Sequence, residues 1–380
     1  MFHPIFQVID QNGYTYGLAP RYTASLDLGG LRNDVIVGGR FFGGNNIALQ
    51  YLNIGGSRGA QTVNSRQNAT NIQGYAENRL FLLPDIAWVV GAKLFHDTRN
   101  YVNFGALPPF STVYQNSTTN YDGIAPRMGV LWQPKPDIQG WVNITKSFDV
   151  PDFSDLTQAR FDGLPKFVPL QAQNAWTLEI GTRGKHGPLA WDITLYNAWV
   201  QDQMLQFTTN PNVPASTFNA GSTTMRGVEL GVSLDVLKDL ATRGDILNVA
   251  QLWNYSNFFF NNDPQYGNNK LAGIPPNLLR TTVTYTHPSG FYVAPGIDWV
   301  PTGAWIDYAN TQRVPGYVLV GLQAGIAFDN GVSVYLDARN LANKRYISDF
   351  GTVTRYSPTL TQTFYPGDGR SVYAGTRVLF

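Results

Sequence analysis

The residue types that usually carry chemistry are few and scattered in this 380-residue chain. Cysteine is absent, which excludes thiol catalysis, disulfides and thiolate metal sites. The four histidines, His3, His96, His186 and His287, lack the short spacings that let two imidazoles share a metal ion. No glycine-rich phosphate loop, nucleophile elbow or zinc signature occurs. Two segments are rich in oxygen ligands: Asp149, Asp152 and Asp155 crowd one, and Asn261, Asn262, Asp263, Asn268 and Asn269 crowd the other. Such loops suit calcium, but solvated loops and loop–loop hydrogen bonds are the commoner use. No enzyme activity, cofactor or resident metal is expected, and binding is the better functional reading.

The elements that must position any binding residues are strands. The terminal segment Gly369–Phe380 alternates, with Val372, Ala374, Val378 and Phe380 on one parity and Ser371, Tyr373, Gly375 and Arg377 on the other. Period-two alternation sends the two sets to opposite faces of a strand. The pattern recurs in Val332, Val334, Leu336 and Ala338, in Val318 to Phe328, and in Ile86, Trp88, Val90, Ala92 and Leu94. Trp176, Leu178 and Ile180 repeat it, whereas Ile246 to Tyr255 supports either parity. The opposite parity places Lys93, Arg127, Glu179, Asp192, Glu229, Arg280, Asp298, Asp337 and Arg339 on the polar face. An apolar face and a polar face on each strand suit a barrel wall in lipid. A soluble sandwich alternates in the same way, so connections and composition must arbitrate.

Charged residues are 14% of the chain and aromatics 13%, with 20 Tyr and 9 Trp. No apolar run is long enough for a transmembrane helix. The net charge of +1 and the absence of a Lys/Arg cluster give no reason to expect nucleic acid. About fifteen strands are expected, near 14–28, 31–43, 70–82, 85–98, 121–133, 137–148, 173–184, 187–206, 217–235, 244–260, 275–286, 290–303, 315–328, 331–346 and 369–380. Short links such as Gly29-Gly30 and Asp329-Asn330 alternate with long ones near 44–69, 99–120, 149–172, 207–216, 261–274, 304–314 and 347–368. Short turns on one side and long loops on the other are the organisation of outer-membrane barrels. The expected fold is therefore an all-β, antiparallel transmembrane β-barrel domain over 1–380. The segment Met1–Gln7 has no basic region, apolar stretch or cleavage site of a secretory signal. Counted strand directions also leave the first strand without its neighbour, so upstream sequence is expected.

Several segments resemble one known family in order. They include Asn120–Val130, Val142–Phe148 followed by Pro151, Leu178-Glu179-Ile180-Gly181, and Asn219-Ala220-Gly221 followed by Arg226-Gly227-Val228-Glu229-Leu230. Ala338–Tyr346, with Ala342 where an aromatic is usual, and Tyr365-Pro366-Gly367 complete the set. Over about 120–380 the chain resembles the carboxyl-terminal barrel of TonB-dependent outer-membrane receptors of the siderophore group. The resemblance implies a barrel of about twenty-two strands with a plugged lumen. This chain would be the last fifteen, with the plug and the TonB-coupling segment upstream.

The resemblance implies import of a ferric siderophore or similar metal chelate in the bacterial outer membrane, among lipid and lipopolysaccharide. Such chelates are often anionic and planar, so cations and aromatics on outer loops would hold them by charge-assisted hydrogen bonds and stacking. Candidates are Arg99, Tyr101, Arg160, Lys166, Tyr266, Lys270, Arg313, Arg345, Arg355, Tyr356 and Tyr365. Each would equally serve an aromatic girdle, a lipopolysaccharide contact or a solvated loop. A passive porin-like channel and a non-functional truncated remnant are the alternative readings.

Overall fold

The computed structural model describes residues 7–104, 115–159, 165–208, 215–329, 331–358 and 364–379. His3, Arg160 and Phe380 lie outside the described residues, as does the Lys166 side chain. The elements run β1 (Gln7–Leu18), β2 (Arg21–Leu28), β3 (Leu31–Ile54), β4 (Ser57–Leu83), β5 (Ile86–Asn103), β6 (Gln115–Lys135) and β7 (Ile138–Asp149). A single-turn helix α1 (Phe153–Leu156) precedes β8 (Thr157–Ala159), β9 (Pro165–Phe167), β10 (Gln173–His186), β11 (Leu189–Phe207), β12 (Ser216–Lys238) and β13 (Ile246–Phe260). Then follow β14 (Asn277–Thr286), β15 (Phe291–Val300), β16 (Tyr317–Ala327), β17 (Val332–Arg339), β18 (Ile347–Phe350), β19 (Phe364–Pro366) and β20 (Ser371–Val378).

One sixteen-stranded sheet takes the order β1-β3-β4-β5-β6-β7-β10-β11-β12-β13-β14-β15-β16-β17-β20, with β2 on β3. β1 and β2 are one strand interrupted at Ala19-Pro20, because the register on β3 continues unbroken from Leu18↔Phe41 to Arg21↔Gly38. The sheet therefore has fifteen positions in sequence, the number read from the alternation. Two short hairpins, β8–β9 and β18–β19, stand off it.

The expected loop near 44–69 is instead a hairpin of β3 and β4, paired from Asn33↔Leu80 to Ile54↔Ser57. Its turn is Gly55-Gly56, at φ 60° and 90°, a left-handed pair that glycine adopts without steric cost. Gly44, Asn45 and Asn46, which fall in the expected loop, lie inside the strand. There Asn45 donates to Asn68, Asn68 to Asn100 at 3.2 Å, and Asn100 to Thr118 at 2.8 Å. This amide ladder offsets the poor strand propensity of asparagine. The first strand also starts earlier than expected, at Gln7, and the expected 331–346 strand stops at Arg339. Asn340 ends it at φ 47°.

The chain forms two compact units. The first comprises Met1–Val130, Asn143–Thr177 and Trp199–Thr223, and the second Leu131–Val142, Leu178–Ala198 and Thr224–Phe380. In the first unit α1 is capped by Asp152, which accepts from the Ser154 and Asp155 amides, while Asp155 accepts from the Asp152 amide. Leu156 at its end packs with Tyr101, Phe167 and Leu170.

In the second unit the register settles the faces. Trp253 pairs with Leu279, Leu279 with Trp299 and Trp299 with Val318, so all four share a face. The parity of 246–255 is thereby decided, with Leu247, Val249, Trp253 and Tyr255 on the apolar side. Ile297 and Trp299 are 46% exposed, and Val318 and Val334 44%, with no second sheet laid over them among the described residues. Whole rows of open apolar side chains are a surface for lipid, not water. The opposite face carries Arg280 against Asp298 and Gln323 against Asp337.

Candidate functional site

Three loops of the second unit are built into one assembly: the one after β13, the one between β15 and β16, and the one between β17 and β20. Asp307 lies at its centre, fully buried. Its carboxylate accepts from the Thr311 amide at 2.8 Å, the Thr311 hydroxyl, and the Tyr356 amide at 2.9 Å. Asn310, at φ 56°, joins two of the loops. Its carbonyl accepts from the Lys270 amide at 2.6 Å, and its amide donates to the Lys270 carbonyl at 2.9 Å. Asn269 donates to the Tyr308 carbonyl at 3.0 Å, and the Gly273 amide to the Trp305 carbonyl at 2.9 Å.

Aromatic and apolar packing completes the assembly. Tyr266 stacks on Phe260 at 5.0 Å, and Tyr308 meets Phe260 edge-on at 5.7 Å. Burial pushes the Tyr308 phenol up to about 12, so it stays neutral at physiological pH. Ala304, Ile306, Val314 and Val353 pack together with Ile347, Phe350 and Tyr356 against them.

Two cations line a pocket of about 170 Å³ with Trp305, Tyr255 and Asn257: Lys270 and Arg313. The Arg313 guanidinium lies 3.9 Å from the Trp305 ring centre and donates to the Gly303 carbonyl at 3.1 Å. Lys270 Nζ donates to Asn257 Oδ1 at 2.6 Å. Burial lowers the pKa of both groups, and the charges of Arg226 and Arg313 lower Lys270 further.

The candidate residues thus separate. Tyr266, Lys270, Arg313 and Tyr356 are brought together in this assembly. Arg345 and Arg355 are exposed on its third loop, and Tyr365 is 53% exposed on β19. Arg99 and Tyr101 belong to the first unit and are buried. Arg99 donates to the Pro151 carbonyl at 3.1 Å and to Asn71 at 3.0 Å. Tyr101 stacks on Phe167 at 5.8 Å. Both hold the loop that carries α1. Lys166 contributes backbone pairing to β8–β9.

The oxygen-rich loops spend their oxygens internally. Asp152 and Asp155 close the capping box, and Asp155 accepts from Thr217 at 3.0 Å. Asp263 Oδ1 accepts from the Gln265 and Tyr266 amides, and Asn261 from Thr224 at 3.0 Å. Asp307, Asn310, Trp305 and Arg226 join these loops only through the fold. The only sequence signal was that Arg226 opens the Arg-Gly-Val-Glu-Leu segment.

A second cavity, about 720 Å³, opens on the polar face and is lined by Asp192, Glu229, Arg280, Asp298 and Asn254. Arg280 and Asp298 face one another across β14–β15, with Nη2 to Oδ2 at 3.1 Å. At the base of the third loop the Asn340 and Tyr346 segment interlocks with Tyr365-Pro366-Gly367. Asn340 donates to the Lys344 and Asp368 carbonyls at 2.9 Å. A Cβ on Gly367 would meet the Tyr346 ring at 2.0 Å, so only glycine fits.

A family model described as "TonB dependent receptor-like, beta-barrel" matches residues 4–341. A curated relative, the ferrioxamine receptor of Yersinia enterocolitica, is 29% identical over 164 residues, which is 41% of this chain and 22% of the relative. The solved ferric citrate transporter superposes with a TM-score of 0.78 at 18% identity, covering 98% of this chain and 55% of that one. The ferric yersiniabactin uptake receptor of Yersinia pestis superposes at 0.72 and 16%, with the same coverages. The chain therefore spans about half the length of the solved structures it matches.

Proposed function

Because this chain belongs to the TonB-dependent receptors, we propose that it forms barrel wall of an outer-membrane importer for ferric siderophores or similar metal chelates. The observation that carries the reading is the family match over residues 4–341, on a sheet whose strands have one apolar and one polar face. The similar proteins are named for ferrioxamine, ferric citrate and ferric yersiniabactin, which supports a ferric chelate as the substrate class.

The fifteen strand positions are then part of a wall of about twenty-two, whose lumen takes a plug. Coupling to TonB belongs to the part of the protein outside this sequence. The polar-face cavity with Asp192, Glu229 and Arg280 faces that lumen. Among the described residues, Lys270, Arg345, Arg355 and Tyr365 are the exposed candidates available to an anionic, planar chelate. Arg99, Tyr101 and Tyr266 serve the loops instead.

The test is uptake of radiolabelled iron, supplied as hydroxamate, catecholate and citrate chelates, by cells lacking their own receptors. The full-length protein is expected to restore energy-dependent uptake of at least one chelate, and residues 1–380 alone none. Uptake by 1–380 alone would sink the plug-dependent mechanism. Cobalamin uptake without any iron uptake would replace the substrate class.

A further inference from the structure

Lys270 and Arg355 are exposed cations on two different loops, the one after β13 and the one between β17 and β20. Both loops are fastened to one short turn, 307–311, which belongs to neither and lies between β15 and β16. Asn310 Oδ1 accepts from the Lys270 amide at 2.6 Å, and Asn310 Nδ2 donates to the Lys270 carbonyl at 2.9 Å. One side chain therefore holds both backbone groups of Lys270. An antiparallel bridge to Phe259 and the bond from Asn269 to the Tyr308 carbonyl hold the same stretch. On the other loop, Asp307 forms a parallel bridge with Val353, and its carboxylate accepts from the Tyr356 amide at 2.9 Å. The Ala309 amide donates to the Thr354 carbonyl at 3.1 Å. The backbone is thus fixed on both sides of Arg355, at Thr354 and at Tyr356.

The turn is itself closed. The Asp307 carboxylate accepts from the Thr311 amide at 2.8 Å and from the Thr311 hydroxyl. The Asp307 carbonyl accepts from the Asn310 amide at 3.1 Å and from Asn310 Nδ2 at 3.2 Å. Asn310 has φ 56°, a left-handed conformation that asparagine tolerates better than most residues. Asp307 is fully buried, so removing its carboxylate would leave one amide on each of two loops without an acceptor. Loops that must become ordered as a ligand binds cost affinity, and charges already in place avoid that cost.

We propose that Asp307 and Asn310 are positioning residues of the chelate site. Their turn mounts the backbones of Lys270 and Arg355, so that two cations from separate loops are presented in one fixed arrangement before the chelate arrives. The proposal rests on the importer reading.

The test uses the purified full-length protein in detergent with radiolabelled iron as hydroxamate, catecholate and citrate chelates. The chelate bound most tightly is titrated against the wild type, K270Q, R355Q, D307N, N310G and the pairs N310G/K270Q and D307N/R355Q. Glycine adopts φ 56° freely, so N310G removes the clamp without straining the turn. Each single variant is expected to weaken binding about tenfold. Within each pair the second substitution should cost less than about twofold more, because the cation is already misplaced. A purely structural role would let the two effects multiply. In the wild type, the chelate is expected to leave hydrogen exchange of the 269–273, 306–314 and 353–356 amides unchanged, a measurement that needs no variant to fold. Wild-type affinity in both D307N and N310G would overturn the proposal. So would multiplying effects within the pairs, or amides of the three segments that gain protection only with chelate. If K270Q and R355Q bind as tightly as the wild type, the mount serves no chelate and this proposal alone fails. If none of the three chelates binds, the importer reading fails and takes this role with it.

Discussion

At the scale of residues, single carboxylates hold whole turns. Asp245 accepts from the Leu240, Ala241 and Thr242 amides at 2.6, 2.8 and 3.0 Å and from the Tyr285 hydroxyl at 2.9 Å. Enclosure by its own turn alone would raise its pKa, but the three amides and the hydroxyl outweigh that and hold the carboxyl below its ordinary value. A folded pKa below the unfolded value of about 3.9 contributes stability that is present above that value and lost as pH falls through the folded one. The 239–245 turn is therefore expected to open in acid. Exchange protection at the 240–242 amides, corrected for intrinsic rates, should fall between pH 5 and pH 2. D245N should flatten that dependence. Unchanged protection down to pH 2 would contradict the assignment. Asp307 plays the same part in the outer loops, with acceptor bonds to positions four and forty-nine residues away.

At the scale of elements, the two faces of each strand meet different surroundings, and single substitutions report which. Ile297 lies in the middle of β15 on the apolar row, directly opposite Val320. Gln323 on β16 lies on the polar row, opposite Asp337. A cation on the lipid side near the midplane costs about 2–4 kcal/mol, whereas the polar side is tolerant. I297R should lower unfolding stability in lipid vesicles by that amount, and Q323R should leave it within about 0.5 kcal/mol. Equal costs at both positions would mean that the faces are misassigned. Strand length follows the same physics. β3 has 24 residues and β4 has 27, more than twice what an apolar layer needs. Where they outrun it, the apolar row gives way to the Asn45–Asn68–Asn100–Thr118 ladder.

At the scale of the whole molecule, the order of strands begins at β1 and ends at β20. An unpaired strand edge in lipid leaves backbone groups unsatisfied at several kcal/mol each. On the twenty-two-strand proposal, strands outside this sequence supply the partners of both ends. Residues 1–380 contain no cysteine, so engineered pairs within them are distinct thiols that make this measurable. In the full-length protein A374C should cross-link readily with L336C, its direct partner on β17. A374C and A24C, on the two terminal strands, should not cross-link. Efficient oxidation of that second pair would show that the fifteen positions close on themselves.

Local patterning alone determined the all-β, antiparallel class, the fifteen strand positions and the apolar rows of β16, β17 and β20. Alternation is a property of consecutive residues, and lipid on one side selects it strongly. The family was legible in short segments for a related reason: Asn340, Tyr346 and Gly367 interlock sterically, so few residue types fit. Tertiary structure decided whatever depended on partners distant in sequence. The 44–69 segment reads as a loop until Asn45 is seen beside Asn68, because cross-strand amide bonds outweigh local propensity. Arg99 and Tyr101 read as rim residues until the α1 loop folds over them. The face on which Lys270 lies follows from its bridge to Phe259, and that of Phe259 from ladders three strands away. Side-chain period is local, but register and loop packing are set by long-range contacts, and charge placement follows those.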